Sequence, residues 1–196
     1  MLYAVIDTNV IISAALAKDR SQSVPFSILQ AAIAKKYIPL VDSLIIEEYK
    51  EVLHRPKFHL ENTANDILES FLKNAIHVIP DPSFIELPDK DDVVFYDVMQ
   101  ASQERQAYLV TGNIKHFPKI PFIVTPREFL NILKVQASDT LAETKTFYDP
   151  TGLLAALCKA NDNALKNGTA GMSEEEIEKE IQAMHLKRNS KRKRDR

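Results

Sequence analysis

The chain has 196 residues, 45% of them hydrophobic, enough to bury a core of ordinary domain size with length left over for an appendage. Its one cysteine, Cys158, excludes an intrachain disulfide and a multi-cysteine zinc site, and a reducing, cytoplasmic setting is expected. Charge is uneven: residues 187–196 carry seven Lys/Arg against one Asp, a local +6 that leaves residues 1–186 at −8 within a net −2. An acidic body excludes general electrostatic attraction of nucleic acid, so that task falls to local features or the basic end. In MLYAVIDTNVIISAAL no basic segment precedes the apolar stretch and Asp7 interrupts it, so neither a signal peptide nor a membrane span is expected.

In chain order, Tyr3 to Asp7 is an apolar run closed by an acid, as suits a buried parallel strand whose last residue emerges at the sheet edge. Val10, Ile11, Ala14 and Ala15 then recur at helical spacing, and Phe26, Leu29 and Ile33 repeat the pattern within residues 25–36. Residues 38–41 give a second strand. Asp42 and Ser43 offer caps for a helix that ends before Arg55-Pro56. Residues 63–75 read as helix, 75–79 as a third strand, 91–106 as a long helix, 108–111 as a fourth strand and 122–124 as a fifth. Thr125-Pro126 starts a helix to about Val135. Strands alternating with helices imply an α/β fold around a parallel sheet.

Beyond residue 135 the rhythm changes. Residues 137–143 are polar, 150–165 weakly helical, and Asn167-Gly168 with Gly171 makes a break. Ser173 and Glu176 form a capping box ahead of a stripe of Ile177, Ile181 and Met184, which completes the core of its own domain or seats a partner. The organisation expected is a domain over 1–135, a helical extension over 136–186, and a disordered basic tail over 187–196.

Three acids lie where acids are costly. Glu48 shares a helix face with Leu44, Ile45 and Val52, and Asp92 opens the stripe of Phe95, Tyr96 and Met99. Glu48 could pair with Arg55, and Asp92 could be a first-turn acid favoured by the helix dipole. Asp7 is harder to assign to structure alone, because the carboxyl end of an α/β sheet is where such folds bind ligands. Tyr108 to Asn113 reaches the same edge, where Thr111 and Asn113 are either site residues or turn residues around Gly112. Converging carboxylates without other cofactor signals point to a hard cation, Mg²⁺ or Mn²⁺. The chain has no GxGxxG, GxxxxGK[ST] or GxSxG, which excludes those dinucleotide, P-loop and hydrolase-elbow signatures.

The segments VIDTNV at Asp7, IIEEYKEVLHRPKF at Glu48, DKDDVVF at Asp92 and TGNIKHF at Asn113 together resemble the PIN domain family, over residues 1–135. More narrowly they resemble the ribonuclease toxins of bacterial toxin-antitoxin systems. The resemblance implies a PIN-like three-layer sandwich with a parallel five-stranded sheet of order 3-2-1-4-5, followed here by the C-terminal helical extension. It implies that Asp7, Glu48 and Asp92 hold a Mg²⁺ or Mn²⁺ ion and that Asn113 takes part in catalysis. Asp89, Asp91 and Asp97 would lie in an outer layer. The family's usual fourth acid is replaced: Asn113 and His116 stand in the acidic places, which lowers the charge available to a second ion.

The activity so implied is endoribonuclease cleavage of RNA, with an antitoxin protein and a second copy of the chain as partners. Two other readings are a catalytically weak PIN-fold module that binds RNA or protein, and a metal-dependent phosphoesterase acting on DNA. Lys18, Arg20, Lys35, Lys36, Arg55 and Lys57 are candidates for phosphate contacts or ordinary solvated charge.

Overall fold

A computed structural model describes residues 1–138 and 149–194. The polar stretch noted above falls largely in residues 139–148, outside the described residues.

The expected α/β arrangement is present. Strands β1 (Leu2–Ile6), β2 (Tyr37–Val41), β3 (Ile76–His77), β4 (Tyr108–Val110) and β5 (Ile123–Val124) form one sheet of order β3-β2-β1-β4-β5, all pairs parallel. The chain winds one way through β2 and β3 and the other way through β4 and β5, so the direction switches between β1 and β4. Their register aligns Ile6 with Val110, so Asp7 and Thr111 leave the sheet side by side. At such a switch point the two departing chains open a crevice.

Helices α1 (Thr8–Ala15), α2 (Val24–Ile33), α3 (Ser43–Leu53), α4 (Ala64–Leu72), α5 (Val93–Ala101) and α6 (Pro126–Ser138) flank the sheet. Their starts follow from side-chain caps. Asp7 accepts from the Asn9 amide, Ser23 from that of Phe26, and Asp42 from that of Leu44 at 2.7 Å. Two elements are shorter than their sequence pattern. β3 keeps two residues because it is an edge strand running into Pro80 and Pro82. α5 ends at Ala101, where the chain tightens into a 3₁₀ turn at Gln103–Arg105 and leaves through Gln106 at φ 52°.

The extension forms two helices, α7 (Leu153–Asn167) and α8 (Glu174–Arg194). Gly168 at φ 72° ends α7 in the left-handed conformation, and the Ser173–Glu176 capping box starts α8. α7 buries Leu153, Leu157, Ala160 and Ala164, and α8 buries Ile177, Ile181 and Met184, all within the same hydrophobic cluster as the sheet. The stripe therefore completes the core of its own chain, each large side chain contributing about 1.5–3 kcal/mol. α8 also runs on to Arg194, past residue 187 where disorder was expected, because Arg188 and Asn189 find acidic partners on the domain.

Asn161 ties α7 to α1. Fully buried, it donates to the carbonyls of Ala14 (2.9 Å) and Ala15 (2.5 Å) at the end of α1 and accepts from Arg20 Nε at 3.0 Å. Asn161→Ala strands two helix-end carbonyls and is predicted to cost about 2–4 kcal/mol in urea denaturation, against about 0.5 kcal/mol or less for exposed Lys166→Ala. Equal losses for the two would refute the tie.

Candidate active site

Asp7 is placed by four neighbours. Its backbone amide bonds the Val110 carbonyl at 2.9 Å, which fixes the exit of β1 beside β4. One turn of α3 behind, the buried Tyr49 hydroxyl donates to the Ile6 carbonyl, and the Tyr49 ring packs edge-on against Phe71. The carboxylate, 6% exposed, then accepts from the Asn9 amide (3.2 Å), Asn9 Nδ2 (2.9 Å) and Thr111 Oγ1 (2.5 Å). Asn9 reaches across with its other atom, accepting from the Gly112 amide at 3.2 Å.

Glu48, 2% exposed, accepts from Thr8 Oγ1 at 2.6 Å. The pairing with Arg55 open to it from the sequence is not made; Arg55 turns instead to Glu180 at 2.5 Å. Asp92 stands at the start of α5 without capping it, and shares a 3.0 Å hydrogen bond with His116 Nδ1. Asn113, the other residue in the acidic turn, donates its amide to Thr111 Oγ1 at 2.8 Å and lines an open cleft of about 440 Å³ together with Asn9, Gly112, Lys115, Glu178 and Lys179. Thus His116 rather than Asn113 meets the third acid.

Charge in this group is disfavoured. Burial, then the charges of Glu48 and Glu178, raise the Asp7 pKa from 3.8 to about 7, although Thr111 and Asn9 act against the shift. Burial, then the charges of Asp7, Asp89, Glu48 and Glu178, raise Asp92 to about 9. A divalent ion among such oxygens removes both penalties, and this donor set suits a hard cation, with Asp7 and Asp92 available to hold it.

The residues that sequence reasoning did not find come from α8. His185, almost fully buried, places Nε2 3.2 Å from Glu48 Oε2 and Nδ1 2.8 Å from Asp89 Oδ2. Burial opposes its charge, but the hydrogen bonds and charges of Asp89 and Glu48 outweigh it and hold its pKa near 10. Both ring nitrogens face carboxylates, as an imidazolium requires. Next to it Arg188 pairs with Glu51 at 2.6 Å and approaches Asp91 at 3.9 Å, and Asn189 donates to Asp91 at 3.2 Å. Among the described residues, the three metal-type donors within 4.8 Å of one another are Asp89, Asp91 and His185. The 2.8 Å contact of Asp89 with Nδ1 is a hydrogen bond that any ion in that trio would have to break. The sequence signal for His185 is its place four residues after Ile181 on the α8 stripe, where an apolar side chain is due. Asp97, grouped with the outer acids, is buried and accepts from the Ser83 amide at 3.2 Å.

A family model described as PIN domain matches residues 3–115, more than half of the chain. The chain belongs to the PIN domain family. PIN domains are in general metal-dependent nucleases, which points to nucleic acid as the class of substrate. Helices α7 and α8 lie outside the matched segment of this PIN domain, which is why family motifs give no hint of His185. Comparisons with curated proteins and with solved structures gave no match. Among the described residues no helix is long and apolar enough to cross a membrane.

The three shifted groups share one sign. Asp7 and Asp92 keep protons in the folded chain that the unfolded chain releases near pH 4, so stability falls as pH rises through about 7 and about 9. His185 likewise contributes fully below about 6.5 and loses its contribution through about 10. The melting temperature in EDTA is therefore predicted to drop between about pH 6 and about pH 9, with Mg²⁺ recovering part of the drop at the higher pH by binding the ionised acids. A melting temperature that rises with pH in EDTA contradicts this charge arrangement.

Proposed function

We propose that this PIN domain is an endoribonuclease that uses Mg²⁺ or Mn²⁺ to hydrolyse RNA phosphodiester bonds, leaving 5′-phosphate and 3′-hydroxyl ends. The observation that carries the reading is a pair of acids, Asp7 buried and Asp92 half-buried, whose ionised forms are disfavoured at the switch-point edge of a PIN sheet. Structural carboxylates rarely stay buried and charged without a cation, whereas a metal site requires that state.

In this reading Asp7 and Asp92 hold the ion, which when bound supplies charge neutralisation at the scissile phosphate and acidifies a water. Thr111 and Asn9 fix the Asp7 carboxylate so that its orientation does not depend on the ion. Glu48 accepts the proton of the attacking water, with Thr8 setting its rotamer. Asn113 and His116 border the path of the phosphate, His116 from its place against Asp92. Of the cations considered for backbone contacts, Arg20 is committed to Asp162 and Arg55 to Glu180, which leaves Lys18, Lys35, Lys36 and Lys57.

The four motif segments support the narrower role of a toxin in a toxin-antitoxin pair, working in the cytoplasm as a homodimer and held by an antitoxin. A second reading is favoured by one observation: both Glu48 oxygens are engaged, by Thr8 and His185, and no acid occupies position 113. That arrangement suits a PIN-fold module that binds without cutting.

Asp7→Asn decides between them. Because burial already disfavours the Asp7 charge, the amide should fold normally by circular dichroism. It should also lose Mg²⁺-dependent cleavage of labelled RNA by on the order of a thousandfold, the several kcal/mol that metal catalysis supplies. Equal cleavage by the two proteins removes Asp7 from the chemistry, no cleavage by the wild type favours the binding module, and cleavage of DNA alone redirects the substrate.

A further inference from the structure

Helix α8 has two unlike halves. Toward its start, Ile177, Ile181 and Met184 are sunk into the hydrophobic core. From His185 onward the described side chains meet the domain through polar groups only: His185 with Glu48 and Asp89, Arg188 with Glu51 and Asp91, Asn189 with Asp91, while Leu186 is 69% exposed. The second half can therefore leave the domain without uncovering core, and the first half keeps it tethered.

Where the second half lies is decisive. It delivers one cation, His185, directly onto Glu48, and a second, Arg188, beside Asp91. With α8 in place Asp7 is 6% and Glu48 2% exposed, and the Asp92 side chain 13%. Of these three, Glu48 is the one that the second half of α8 touches. With Thr8 on Oε1 and His185 on Oε2, neither Glu48 oxygen is open to an ion or to an attacking water until the imidazole withdraws.

We infer that the C-terminal half of α8 is an intramolecular plug on the active site, with His185 holding the Glu48 oxygen that the site needs and Arg188 adding positive charge beside Asp91, so that metal binding and plug docking oppose each other. The inference rests on the reading of the carboxylate edge as a metal site. Opposition of this kind is reciprocal: releasing the plug tightens the ion, and the ion loosens the plug. The acidic partners of the plug, Glu51, Asp89 and Asp91, lie on the domain next to the candidate ligands. The sequence beyond residue 186 is basic, so a released plug carries cations toward the phosphates of a bound RNA instead of toward the site.

Two measurements on the full chain test this. The first is Mn²⁺ calorimetry on the wild type and His185→Ala/Arg188→Ala, counting only the heat that Asp7→Asn abolishes. The double variant should bind on the order of tenfold more tightly. The second needs no substitution: amide exchange at residues 185–190 of the wild type should speed up on adding Mn²⁺ while residues 175–184 stay protected. Unchanged affinity with unchanged exchange overturns the plug. Weaker binding by the variant also overturns it, by making His185 a ligand. No binding by either protein overturns the plug and the metal site together. Tighter binding and faster exchange without RNA cleavage uphold the plug and count against the nuclease reading alone.

Discussion

The structure depends on a concentration of negative charge that its own backbone enforces. β1 and β4 run in register, so the residues that follow them emerge together, and one of these is Asp7. Asp7 is at once the last residue out of the sheet and the cap of α1, and it cannot move away from Glu48 and Asp92 without giving up the fold. Thr111, Asn9 and the Tyr49 hydroxyl hold the strand end and its carboxylate from three sides. Each of these contacts makes sense in a scaffold that stabilises one geometry and tolerates a costly charge in it. Burial and the neighbouring acids raise the cost of ionising Asp7 and Asp92, a cost stored in the fold that a cation can offset.

That stored energy explains why the extension lies where it does. A buried acidic cluster attracts any cation that can be brought to it, and α8 brings His185 at the point where its apolar stripe ends. The capping box fixes where α8 begins, the stripe fixes its rotation, and helical spacing then aims residue 185 at the same face as residues 177 and 181. A helix whose first half is hydrophobic anchor and whose second half is electrostatic contact is stable as a whole and separable in part.

Much of the fold was legible in the sequence because parallel strands buried on both faces are short apolar runs, and those runs stand clear between capping residues. Strand order followed from the family resemblance and matches the sheet observed. The second half of α8 was not legible: Lys187 to Arg196 reads as a disordered tail by composition, and only the acids across the fold give Arg188 and Asn189 a reason to be helical. Of the site, Asp7, Glu48 and Asp92 stood out as polar residues on apolar faces, and the structure brings all three into one electrostatic neighbourhood. Thr8 was hidden, and Thr111 stayed open between site and turn, because a threonine in a turn has too many ordinary explanations. His185 was hidden because its partners are 137 and 96 residues away in sequence.

The central claim is that the switch-point carboxylates hold a divalent ion, and anomalous diffraction from crystals grown with Mn²⁺ tests it most directly. The account predicts one peak bonded to Asp7 and Asp92 oxygens, at about 2.0–2.2 Å as for hard divalent cations generally, with His185 withdrawn from Glu48. A peak held by Asp89, Asp91 and His185 with Asp7 unliganded, or no peak at the sheet edge, would contradict it.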